Sequence, residues 1–135
     1  MTITFTPSVK IIPTDLVYER ASSSLAIPIP SGAQNMILLQ WVKDPTRGDM
    51  ILLGVGTDQH DNSYYTWTVD GNVLPISGTS RVGSITNPFY FPIPIRVQSS
   101  IVLTVTNNNT VAYPNNGIDP TSQVPYECVF IGKWE

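Results

Sequence analysis

The sequence predicts an all-β fold, an antiparallel β-sandwich of jelly-roll-like or immunoglobulin-like form with about 8–10 strands. Three observations predict it. Helical periodicity is almost absent. Short apolar or alternating runs recur, each closed by a cluster of Pro, Gly, Asn, Asp or Ser. Charged residues make up only 13%, about half the usual share, and Thr, Ser, Asn and Gln carry the polar balance. With 135 residues and no interior linker or charge block, the chain reads as one domain spanning 1–135.

The first two expected strands, Ile3–Phe5 and Val9–Ile12, lie in residues 1–12. That segment can also serve as an extended N-terminal arm that adds a strand to a neighbour. Leu16–Glu19 and Leu25–Ile29 follow. Asn35–Val42 and Met50–Gly56 are apolar on both faces, so each is either central and covered twice or turned toward another subunit. Between them, "KDPTRGD" (Lys43 to Asp49) sets Pro45 and Gly48 in turn chemistry and is expected to close a hairpin. Within Tyr64–Asp70, Tyr65, Trp67 and Val69 share one face and Tyr64, Thr66, Thr68 and Asp70 the other, as in a half-buried strand. Asp70-Gly71 then marks a tight hairpin turn. Phe89–Val97, Ile101–Asn107 and Tyr126–Lys133 complete the set, with a long loop rich in Asn, Pro and Gly from Asn107 to Pro125.

Two segments carry paired prolines, "AIPIPSG" (Pro28, Pro30) and "YFPIPIRV" (Pro92, Pro94). Residues two apart in a strand aim their N–H groups to the same side, so each pair deletes consecutive donors along one edge. Both segments are therefore expected at sheet edges or at crossings between sheets. Strict alternation would turn Phe91, Ile93, Ile95 and Val97 inward, and likewise Leu25, Ile27 and Ile29. A shift of 64 positions superimposes the two proline pairs, and also Ile37 on Ile101 and Leu39 on Leu103. Either two edges of one sandwich meet the same physical problem, or the halves descend from a duplication.

Composition excludes several classes of function. The net charge is −3 and the seven Lys and Arg are scattered, so no cationic face invites nucleic acid. The longest apolar stretches, "MILLQWV" and "MILLGVG", are far too short to span a bilayer, and no membrane partner is expected. The N-terminus "MTITFTPSVK" has neither a basic n-region nor a long apolar h-region, so no signal peptide is read there. The single Cys128 rules out an intramolecular disulfide and reads as a small buried residue, since Lys133 is the only nearby cation.

The search for chemistry ends at one loop, "GTDQHDNS". Asp58, His60 and Asp61 there are the candidates for a metal, because carboxylates and an imidazole stand close together. Asp and Asn in such a loop also simply supply turn geometry. The spacing fits no calcium loop, no nucleophile elbow is present, and no cofactor is expected. "GVGTDQ" is not followed by a helix that would cradle phosphate. "NNT" at Asn108 matches a glycosylation acceptor. Among the aromatics, Tyr64, Tyr65, Trp67, Tyr90 and Tyr113 either present rings to a sugar or pack a core or subunit contact. Trp41, Trp67 and Trp134 alternate with apolar neighbours, which favours core or contact.

From Ile27 to Asn107 the chain runs "IPSGA", an apolar strand, "LLGVGTD", "YYTWTVDGNVLP", "NPFYFPIPIRV" and "SIVLTVTNNN". This cadence resembles small β-sandwich accessory proteins of phage and archaeal-virus particles, of the capsid decoration or turret type. The resemblance is one of style and carries no catalytic residues. It implies a sandwich, usually oligomeric, bound to a shell of major capsid protein, with assembly in the host cytoplasm and residence in the virion. The expected function is thus non-enzymatic: a structural or interaction protein that oligomerises or docks on a particle. Trp41, Val42, Tyr64, Trp67, Tyr90, Pro92 and Pro94 are the contact candidates. The alternative is a carbohydrate- or receptor-binding module, which makes a glycan the other expected partner.

Overall fold

A computed structural model describes residues 15–117 and 120–135. The strands read at Ile3–Phe5 and Val9–Ile12, and the arm at 1–12, lie outside the described residues. Eight strands form among those described: β1 (Leu16–Ser22), β2 (Met36–Val42), β3 (Met50–Thr57), β4 (Ser63–Val69), β5 (Asn72–Val73), β6 (Phe89–Val97), β7 (Ser100–Asn107) and β8 (Glu127–Trp134). They make two antiparallel four-stranded sheets, ordered β1-β8-β3-β6 and β2-β7-β4-β5.

The wiring decides between the two sandwich types. β1 pairs β8, β2 pairs β7, β3 pairs β6 and β4 pairs β5, all antiparallel. That is one long hairpin, folded at β4–β5, whose successive strand pairs wrap alternately into the two sheets. A jelly roll is built in this way. An immunoglobulin domain would instead group its strands as A-B-E-D and C-F-G.

The core lies between the sheets. One side supplies Met50, Leu52, Val55, Val97, Cys128 and Phe130, and the other Leu39, Tyr65, Trp67, Val69, Ile101, Leu103 and Val105, all buried. Each such side chain contributes roughly 1.5–3 kcal/mol by leaving water. Trp41 on β2 meets Phe130 on β8 edge-on at 5.7 Å between ring centroids, which ties the sheets together. The alternation read in β4 holds: Tyr65, Trp67 and Val69 are buried, while Tyr64, Thr66 and Thr68 are half-buried. Asp70 and Gly71 both adopt left-handed φ, 51° and 83°, and pair Val69 with Asn72 across the turn. Two left-handed residues are what a type I′ hairpin turn requires.

Three expectations are corrected. "KDPTRGD" closes no hairpin, because β2 and β3 lie in different sheets. Seven residues, Lys43 to Asp49, are long enough to cross the ~10 Å between layers. Leu25–Ile29 forms no strand; it is a crossover that touches the fold through an isolated bridge from Ile29 to Tyr113. Ile29 is buried there, but Leu25 and Ile27 are exposed. The first proline pair is thus at a crossing, and the second is on β6, an edge strand.

β6 also breaks its own alternation. Ile95 stands opposite Leu52 and Tyr90 opposite Gly54, so Phe91 to Pro94 all face the single residue Leu53. Two prolines cannot donate to β3, and the chain bulges outward instead. Val97 is buried and Phe91 and Ile95 are half-buried, but Ile93 is 83% exposed, contrary to strict alternation. Leu39 and Leu103, superimposed by the 64-residue shift, are direct cross-strand partners. The two strands therefore meet one another in one sheet.

Candidate functional site

The loop after β3 carries the residues that sequence reading singled out. It crosses from one sheet to the other, and Asn62 turns it with a left-handed φ of 51°. Asp58 is occupied structurally: its Oδ1 accepts the Ile85 N–H at 3.2 Å and its carbonyl accepts the Tyr65 hydroxyl at 2.8 Å. The Asp61 carbonyl accepts Ser63 Oγ at 3.0 Å and Asn109 Nδ2 at 2.8 Å. His60 is only 7% exposed. Its ring stacks on Tyr126 at 4.0 Å and meets Tyr113 edge-on at 4.3 Å. Nε2 lies 3.2 Å from the Val124 carbonyl oxygen.

Burial pushes the His60 imidazole below its usual range, against the opposing pull of the Val124 and Asp61 carbonyls and the Asp61 charge. The ring is therefore neutral at neutral pH. The three candidates do not converge, and among the described residues no group of three His, Cys, Asp or Glu is placed to hold a metal. Above His60 lies a half-open cleft of about 300 Å³, lined by Gln59, His60, Asp61, Tyr113 and Val124.

Cys128 is fully buried and its thiol is pushed up to about 12, chiefly by desolvation. It packs as a small apolar residue, as its alternation with Tyr126 and Phe130 implies.

The contact candidates scatter over the molecule. Trp67 is fully buried in the core and reaches no partner. Trp41 is half-buried, clamped by Phe130 and by Trp134, over which Arg47 sits at 4.3 Å. Tyr64 is half-buried on the outer face of the β2-β7-β4-β5 sheet, and Val42 is exposed at its β2 edge. Tyr90, Pro92 and Pro94 are exposed on β6 of the other sheet. A sugar platform made of Trp67 and Tyr90 therefore does not form.

The two outer faces differ in character. Across the β2-β7-β4-β5 sheet the outward rows are Ile37, Thr104 and Thr66, and Gln40, Val102, Thr68 and Val73. Half-buried threonines share that face with exposed Ile37 and Val73. Across the β1-β8-β3-β6 sheet one row runs Tyr18, Ile131, Gly54, Tyr90. Beside it run Leu16, Lys133, Ile51 and Arg96. Tyr18 and Tyr90 are 55% and 57% exposed at the two ends of the row. Gly54 is needed between them: a Cβ there would fall 2.7 Å from the Phe89 carbonyl oxygen and 3.0 Å from the Tyr90 ring. Sequence reading found Tyr90 but not the row, because the pairing order that assembles it is not local. Tyr18 carried no signal beyond its place in a short strand.

These features define an all-β jelly-roll sandwich in which the metal candidates do not converge and exposed apolar side chains stand on both sheets. No protein-family model matches the chain, and no curated protein sequence matches it.

Proposed function

We propose that this chain is a non-enzymatic structural protein, a jelly-roll sandwich that associates with further copies of itself as a component of a larger protein shell such as a virion. The observation that carries the reading is the apolar row Tyr18–Ile131–Gly54–Tyr90 on the outer face of one sheet. Exposed Tyr18 and Tyr90 flank half-buried Ile131 and buried Gly54 in it, and apolar side chains grouped on one face mark association sites. The two edges of that sheet add direction. β6 is irregular from Phe91 to Pro94, where its bulge breaks the strand geometry, which makes it a poor template for another strand. β1 contains no proline and presents Leu16 and Tyr18 to solvent. A second copy therefore meets the molecule from the β1 side, where sheet continuation and apolar contact act together.

The test is solution mass by sedimentation across a concentration series. The wild type is expected to populate a dimer or higher species. Tyr18→Lys, at an exposed position, is expected to shift it to monomer without altering the thermal transition. A wild type that stays monomeric throughout, or oligomers indifferent to Tyr18→Lys, would defeat the reading.

A further inference from the structure

We infer that the cleft above His60 is a binding site for one neutral sugar ring. It does not rest on the association surface just described. The cleft measures about 300 Å³, at the small end of ligand sites and enough for a single ring with a substituent.

Its floor is aromatic and held in place. His60 is stacked on Tyr126, which is itself fixed by a 2.6 Å hydrogen bond with Ser63 Oγ. Tyr113 stands edge-on against the His60 ring. Its backbone N–H and carbonyl are both bonded to Ile29, at 3.1 and 2.9 Å. Rings locked this way need little ordering when a ligand arrives. With His60 and Tyr126 buried beneath it, half-buried Tyr113 is the ring left to meet the apolar C–H face of a pyranose.

The rim is polar and idle. Among the described residues the Gln59 amide, the Asp61 carboxylate and the Tyr113 hydroxyl make no hydrogen bond, although all three residues line the cleft. The contrast within Asp61 is informative. Its backbone is pinned by Ser63 and Asn109, yet its carboxylate is left free beside the cavity. Sugar hydroxyls both donate and accept. A carboxylate that only accepts, an amide that does both and a phenol that does both form a complementary set.

Charge narrows the ligand further. Asp61 is the only charged residue in the lining, which repels anionic sugars. The nearby Asp58 carboxylate is already committed to the Ile85 N–H, so a cation would find one carboxylate and no closed aromatic cage.

The experiment is an amide-resolved NMR titration of the full chain with glucose, galactose, mannose and N-acetylglucosamine, with choline as the cationic comparator. At least one sugar is expected to move the amides of Gln59, Asp61, Tyr113 and Val124, with affinity of about millimolar order. Asp61→Ala and Gln59→Ala, both at exposed positions, are each expected to weaken it about tenfold while the remaining spectrum stays unchanged. Silence of these amides to every sugar overturns the inference. So do shifts that survive both substitutions, or a response to choline alone.

Discussion

Asp70 joins two turns that are distant in sequence, and its replacement has a predictable cost. Oδ1 accepts the Ser99 N–H at 2.7 Å, the Ser99 hydroxyl at 2.9 Å and the Ser100 N–H at 3.0 Å. Oδ2 accepts the Gln98 N–H at 2.8 Å. The β4–β5 turn thereby holds the β6–β7 turn. A hydrogen bond to a charged group is worth about 1.5–3 kcal/mol net. The four do not add, because they share one carboxylate and because Gln98 and Ser99 are exposed, so water replaces part of what is lost. Asp70→Asn keeps an acceptor oxygen and a side chain that tolerates the left-handed φ, but it turns an amide NH₂ toward N–H donors. A loss of about 1–2 kcal/mol follows, or about 4–8 °C in Tm for a domain of this size. Desolvation tends to raise the Asp70 carboxyl, but the bonds from Gln98, Ser100 and Ser99 outweigh it and leave it below its ordinary 3.8. A depressed folded value gives stability that is complete above the unfolded value and is lost as pH falls through the folded one. The gap between wild type and Asp70→Asn should therefore be full at about pH 7 and close below about pH 4. Thermal unfolding by circular dichroism measures both quantities. An absent gap, or one that stays constant down to about pH 3, would show that the Asp70 carboxylate does not stabilise the fold in this way.

The remaining expectations concern buried groups. His60 is held neutral by burial, below its ordinary 6.5, so the unfolded chain binds its proton first and stability declines as pH falls below about 6.5. His60→Phe lacks this titration, and its stability should fall less steeply over that range in urea melts; parallel curves would count against the assignment. Cys128, its thiol pushed up to about 12, should resist a thiol reagent at mildly alkaline pH until the protein is unfolded, and immediate labelling of the native chain would contradict that.

Strand existence was legible from the sequence wherever one face is buried and the chain keeps period two. Tyr65, Trp67 and Val69 show this, as does the Asp70-Gly71 turn, whose residue types state their own φ. The sheet partners were not legible, because a jelly roll pairs β1 with β8 and β2 with β7 across most of the chain. That is why "KDPTRGD" read as a hairpin although it joins two layers. The proline pairs were legible as edge or crossing chemistry, since a missing donor is local. Where the side chains of the second pair would point was not, because the bulge opposite Leu53 depends on how β3 and β6 align. The cleft was half visible. Asp58, His60 and Asp61 stood out, but the rings that close over His60 come from Tyr113 and Tyr126, more than fifty residues on.

The strength of association available to the β1-β8-β3-β6 face follows from its dimensions. Four strands at about 4.8 Å spacing and about seven residues of length give roughly 440 Å² of plan area. Taken as about half apolar, the usual share for protein surface, the face offers roughly 220 Å² around Leu16, Tyr18, Ile51, Ile131 and Tyr90, between Lys133 and Arg96. Two copies would hide roughly 400 Å² of apolar surface, or about 10 kcal/mol gross at 25 cal/mol per Å². Losing rotational and translational freedom costs about 4–15 kcal/mol. The two terms nearly cancel, so a single contact through this face is weak and reversible. A molecule that uses it once would be largely monomeric at low concentration. One anchored many times over on a shell, with each neighbour raising the effective concentration of the next, would hold firmly through the same contact. A face of this size thus suits repeated assembly better than an isolated permanent dimer, whose interfaces are larger and more uniformly apolar.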